Sequence, residues 1–199
     1  MSKLLKMSAL LALSVSLSGC VAAVVGGAAV AGLTIAQERS VGDAVDDTVV
    51  DTSVNSALLQ EQLDLFRNVS VNVVEGRVLL TGVVETPEER LKAAQIAWDV
   101  KGVRDVINEI LVEEETDVID FARDTWITTQ IRGRLLADSD IYDVNFTIET
   151  VNTIVYLFGI AQSSEEVMRA IYHAQRVKGV KRVISHMMLK DDPGRTPSP

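Results

Sequence analysis

The chain has 199 residues, a formal net charge of −9, one cysteine, two histidines and 5% aromatic residues. That length holds one domain or two small ones at about 100–200 residues each. The acidic balance argues against nucleic acid as a partner, because phosphate binding takes a basic surface. A single cysteine excludes an internal disulfide and CxxC-type zinc sites. Two histidines leave little room for a His-rich metal centre, and no cofactor is expected.

Apolar residues crowd into the first 36 positions, so the amino terminus is read apart from the fold. Lys3 and Lys6 form a short basic region, and an uncharged apolar stretch runs from Met7 to Leu17. Leu17-Ser18-Gly19-Cys20 follows, small residues leading into cysteine as in the lipobox of bacterial lipoproteins. On this reading residues 1–19 are a signal peptide. The Cys20 thiol takes a diacylglyceryl group, and several acyl chains at about 0.8 kcal/mol per buried CH₂ hold the chain to a membrane. Val21, where aspartate marks inner-membrane retention by convention, favours the periplasmic face of the outer membrane of a Gram-negative cell. An uncleaved transmembrane helix competes, since apolar residues continue to Ala36. Gly26, Gly27 and Gly32 make that stretch poor stop-transfer material. Residues 20–47 are expected to be a lipidated terminus and polar linker.

Beyond the linker the chain repeats itself. Residues 52–112 align with 129–189 at an offset of 77 without a gap, and 17 of the 57 positions from Val54 to Ile110 are identical. A repeat at one fixed offset means two copies of one supersecondary unit. Copy one is taken as residues 48–113 and copy two as 121–190, with an acidic link at 114–120.

Each copy opens with a helix, about Val49–Gln62 and Phe121–Ala137, marked by Val54 and Leu58 or by Ile127, Ile131 and Leu135. Two strands follow. Val69, Val71 and Val73 alternate with polar residues, and Glu75-Gly76 turns the chain into Arg77–Val84. Phe146, Ile148 and Thr150 alternate likewise, and Asn152-Thr153 turns into Ile154–Ala161. A second helix begins at Thr86-Pro87-Glu88-Glu89, or at Ser163-Ser164-Glu165-Glu166, with Thr or Ser as N-cap and Glu at N3. Gly102 and Gly179 are expected to end these helices as left-handed C′ residues. A third strand, Val103–Val112 or Val180–Leu189, closes the unit. The fold class is therefore α+β: two tandem αββαβ modules with helices packed on small three-stranded mixed sheets. Residues 191–199 hold three prolines and are expected to be a disordered tail.

This arrangement resembles the BON domain, a small αββαβ module of bacterial envelope proteins. Specific strings carry the likeness: Arg39-Ser40-Val41-Gly42, Val54-Asn55-Ser56-Ala57-Leu58, Asp124-Thr125-Trp126-Ile127-Thr128-Thr129 and Val177-Lys178-Gly179-Val180-Lys181-Arg182-Val183. The resemblance implies binding of anionic phospholipid, a role in outer-membrane integrity, and no catalysis.

Charge separates the copies independently. Copy one holds 11 acidic and 6 basic residues, net −5; copy two holds 7 and 9, net +2. Only copy two suits an anionic bilayer, of phosphatidylglycerol or cardiolipin type, where each Lys or Arg contributes about 1 kcal/mol. On the first helix of copy two, Trp126 lies about 140° from the centre of the apolar stripe at 100° per residue. It shares its outward face with Gln130 and Gly133, and Arg123 and Arg134 flank it. Tryptophan suits a membrane interface and arginine pairs with phosphate. These five residues form the candidate lipid site. The competing reading makes Trp126 a wedge between the copies. Copy one has Val49 at the equivalent position, with Asp51 nearby and no arginine.

Lys178, Lys181 and Arg182 form a second basic cluster, suited to a helix C-terminus. His173 and His186 have no partners at metal-ligand spacing, and Trp98 is expected to pack or lie half exposed. The leading expectation is a lipid-binding lipoprotein. The alternative is a scaffold whose acidic copy one docks an envelope or outer-membrane assembly protein. An enzyme is not expected, because no nucleophilic triad, metal motif or phosphate loop is visible.

Overall fold

The computed structural model describes residues 41–113 and 118–195. The expected signal peptide, Cys20 and the centre of the acidic link lie outside the described residues. Copy one runs α1 (Val41–Glu61), α2 (Leu63–Asn68), β1 (Val69–Val74), β2 (Arg77–Val84), α3 (Pro87–Trp98), β3 (Asp105–Asn108) and β4 (Leu111–Val112). Copy two runs α4 (Val118–Leu136), a 3₁₀ turn (Asp143–Asn145), β5 (Phe146–Val151), β6 (Ile154–Ala161), α5 (Ser164–Gln175) and β7 (Arg182–Leu189). The α+β class and the αββαβ order stand. Among the described residues no helix is long and apolar enough to cross a membrane.

In each copy a hairpin pairs antiparallel, and the strand after the crossover helix pairs parallel with the hairpin's second strand. The order is β1-β2-β3, with β4 also on β2, and β5-β6-β7. Alternation along the central strands divides the side chains between two cores. Val78, Leu80 and Val84 face α1 and α3, while Val155, Leu157 and Ala161 face α4 and α5. The opposite faces meet: Val74 and Leu79 pack with Tyr156, Phe158 and Ile160. The described residues of the two copies stack four layers deep, helices outside and two sheets back to back.

Four expectations need correction. First, the linker expected up to residue 47 is helical from Val41. The buried stripe of α1 begins with carboxylates, Asp43 and Asp47, before Val50, Val54 and Leu58, so its apolar periodicity starts late. Second, the third strand of copy one is broken. The Asn108 side chain accepts from Ile110 N and donates to Arg90 O, which turns Ile110 into the core. Copy two has Ser185 there and β7 runs unbroken, so only its sheet keeps three strands. Third, the glycines are not C′ residues. The helices end at Trp98 and Gln175, and Gly102 and Gly179 sit later, inside turns closed by Val103 N to Val100 O and Val180 N to Val177 O. Their φ of 100° and 102° suits the third position of a type II turn. Fourth, the described part of the expected tail, residues 191–195, packs on the fold, and the Arg195 guanidinium contacts the Glu75 carboxylate at 2.7 and 2.9 Å. Both side chains are nearly buried, at 9% and 4% exposed.

The helix starts follow the sequence. Thr86 and Glu89 form a reciprocal capping box. Ser163 accepts from Glu166 N, while the Glu166 carboxylate accepts from Gln162 N and reaches back to Tyr142 N.

Candidate lipid-facing surface

Helix α4 is positioned by two devices. Ile127, Ile131 and Leu135 are fully buried against the sheet of copy two. At its N-terminal end Asp124 accepts from Asn152 N at 2.7 Å and Thr153 N at 2.9 Å, tying the helix to the β5–β6 turn. Asp47 does the same in copy one, accepting from Glu75 N and Gly76 N. Asp47 and Asp124 are 77 residues apart, so the repeat offset itself marks this clamp. The sequence hides this clamp because Asp47 stands in a polar, acidic stretch ahead of the apolar periodicity of α1.

With that stripe inward, Trp126 points out and is 62% exposed. It is not a wedge: the contact between the copies is built from Val74, Leu79, Tyr156, Phe158 and Ile160. Arg123, Gly133 and Arg134 are exposed and Gln130 is half-buried. Arg123 precedes Trp126 by three residues, and Gln130, Gly133 and Arg134 follow it by four, seven and eight, so α4 brings the five onto one surface. A Cβ on Gly133 would meet nothing within 4 Å, so the backbone is open to approach there. Phe121 and Leu136 extend the apolar exposure to both ends of the helix. Val49, the counterpart of Trp126, is also exposed, but burial raises the pKa of nearby Asp51.

Two recesses border α4. One, about 400 Å³, is lined by Arg123, Lys181 and Arg182 together with Glu113 and Asn152. It draws Lys181 and Arg182 beside Arg123. The other, about 630 Å³, runs between the copies and is lined by Phe121, Thr125, Thr128, Arg132, Glu149 and Arg67. Burial raises the pKa of Glu149, against a hydrogen bond from Asn72 and the charge of Arg132.

The histidines have carboxylate partners. His173 Nε2 lies 2.8 Å from Asp138, whose pKa that contact lowers, helped by Asp140 N–H and Arg169. His186 Nε2 lies 2.8 Å from Glu109 across the two copies. No group of three or more His, Cys, Asp or Glu suited to a metal occurs among the described residues. Trp98 is exposed on α3, seven residues after exposed Leu91.

Two αββαβ modules joined through their sheets, with Trp126 and arginines on an outer helix, define a tandem module with an amphipathic outward face. The chain belongs to the BON domain family, whose model matches residues 46–114 and 123–191. It is 32% identical to the outer membrane lipoprotein DolP of Haemophilus influenzae, over 92% of this chain and 95% of that protein. It is 44% identical to an Anaplasma centrale protein described as an uncharacterized protein in the gshII 5′ region, over 73% of this chain and 96% of that one. It is 31% identical to the osmotically-inducible protein Y of Escherichia coli, over 76% and 77% of the two chains.

Proposed function

We propose that this protein is a lipid-anchored protein of the periplasmic face of the outer membrane. It binds anionic phospholipid through α4 of copy two and supports outer-membrane integrity. One observation carries the reading: Trp126 is exposed on a helix whose outward face also holds Arg123 and Arg134, in the copy with net charge +2. The indole enters the headgroup layer with its N–H still wet, and the arginines pair with phosphates. Cys20 supplies the anchor, and the similarity to an outer membrane lipoprotein supports that placement.

The test uses the chain from Gln37 onward, which forms a compact unit. It is expected to pellet with phosphatidylglycerol vesicles, and to pellet less as salt rises, because screening acts over about 8 Å at physiological ionic strength. Trp126→Glu is expected to lower binding by about tenfold or more, from lost insertion and an added repulsion. A folded Trp126→Glu protein that binds as before overturns the reading.

A second reading has its own observation. Leu91 and Trp98 form an exposed apolar stripe on acidic copy one. That surface suits a protein partner in the envelope, and the scaffold reading predicts that Leu91→Glu abolishes capture of the partner while vesicle binding is unchanged.

A further inference from the structure

The outer surface of copy two consists of two helices. Helices α4 and α5 pack side by side over one core, in opposite directions. Asp138, just past the end of α4, meets Arg169 and His173 of α5. Gly179, just past the end of α5, lies against Ile127 in the first half of α4. The side of α4 bearing Thr125, Thr128 and Arg132 faces the recess towards copy one. Arg123, Gln130 and Arg134 lie on the other side of α4, the side on which the Ile127–Gly179 and Asp138–Arg169 contacts place α5, and Arg123 at its N-terminal end also borders Glu113 of copy one.

Helix α5 has its own outward ridge. Ala170 and Ala174 are fully buried, which turns Met168 and Tyr172 away from the sheet. They are 60% and 55% exposed. The Arg176 guanidinium lies 5.0 Å above the Tyr172 ring. An aromatic ring capped by a cation suits the headgroup layer, the ring reaching inward and the charge meeting phosphate. Across copy two the order is an apolar ridge with Trp126, the arginines of the seam, then a second ridge with Met168 and Tyr172.

Copy one shows the contrast. At the 77-residue offset Leu91 stands for Met168, Gln95 for Tyr172 and Asp99 for Arg176. The exposed apolar residue is kept, but the aromatic is lost and the cation becomes an acid. The cation that caps the ridge therefore stands beside α5 and has no counterpart beside α3.

We infer that Met168 and Tyr172, with Arg176, form a second membrane-inserting ridge, so that copy two lies on anionic phospholipid through two antiparallel helices. This rests on the α4 reading and adds an orientation to it. Two parallel ridges separated by a cationic seam fix the rotation of the domain about α4, which one inserted tryptophan leaves free.

The test labels the chain from Gln37 onward with an environment-sensitive fluorophore at Met168→Cys, the natural cysteine being absent from it. Trp98→Phe leaves Trp126 as the intrinsic probe of α4, and Gln60→Cys, exposed on copy one, is the control. With phosphatidylglycerol vesicles the label at 168 is expected to brighten severalfold and to be quenched by lipids brominated in the acyl chain, as Trp126 is. The label at 60 stays unchanged, and phosphatidylcholine vesicles give no response. In the unlabelled chain, Met168→Glu with Tyr172→Ser is expected to weaken vesicle affinity by about tenfold with the thermal melt retained. A quenched Trp126 beside an unresponsive position 168 removes the second ridge and leaves the α4 reading standing. Silence at both positions removes both. Unchanged affinity in the folded double variant also overturns the second ridge.

Discussion

The Asp124 clamp holds strain that the sequence hides. Asn152 and Thr153 form the β5–β6 turn with φ of 48° and 67°. The left-handed region at two successive positions is the type I′ hairpin geometry, for which Asn-Gly is the favoured pair. A β-branched threonine at the second position carries a penalty of about 1 kcal/mol or more. The two hydrogen bonds to Asp124 hold the turn in place. Copy one has Glu75-Gly76 at the same turn, with glycine where copy two has threonine. Thr153→Gly is therefore expected to stabilise the protein by about 1 kcal/mol, seen as a raised denaturation midpoint. Asp124→Ala strands two backbone donors and is expected to cost about 3 kcal/mol in the same measurement. The turn was legible from its residue types. The clamp was not, because a buried aspartate in an otherwise apolar stripe breaks the pattern by which a helix face is recognised.

At the scale of the element, the sequence was informative wherever local rules decide the outcome. Helix β-strand alternation, the two N-caps and the bounds of β2 and β6 all follow from pattern alone. What failed was set by tertiary contacts. Helix α1 extends to Val41 because aspartates continue its buried stripe, and the last strand of copy one breaks because Asn108 captures Ile110 N. The face of α4 was legible, since a helix with three apolar residues at spacings of four leaves no choice of inward side. The ridge on α5 was not, because small Ala170 and Ala174 do the burying and larger Met168 and Tyr172 stay outside. Helix α4 also carries a local weakness at Gly133, exposed and with open space where a side chain would stand. Gly133→Ala is expected to stabilise the protein by about 1 kcal/mol, measured by thermal or denaturant unfolding, since alanine removes the entropic cost of glycine in a helix.

At the scale of the whole molecule, the two copies meet through equivalent positions. Asn72 Nδ2 donates to Glu149 Oε1, Glu109 meets His186, and Leu79 shares the inter-sheet core with Tyr156. Each pair is 77 residues apart, as a two-fold relation between the copies requires. Burial raises the pKa of Glu149 above its ordinary 4.5. Its protonated form is thus favoured by folding, so this contribution is fully present below pH 4.5 and is lost as pH rises through the folded value. Glu149→Gln keeps a neutral side chain at every pH. It is expected to gain stability over the parent at neutral pH, the gain shrinking as pH falls towards 4.5, in unfolding curves taken across that range. The pairing across the axis has one more consequence. Were either copy to associate with another of its own kind through the same face, Glu149 would stand against Glu149 and Glu109 against Glu109, carboxylate on carboxylate. Joining the copies in one chain lets each position choose an unlike mate, an amide for one acid and an imidazole for the other. The seam thus reads difference: each half accepts its sibling and rejects its twin.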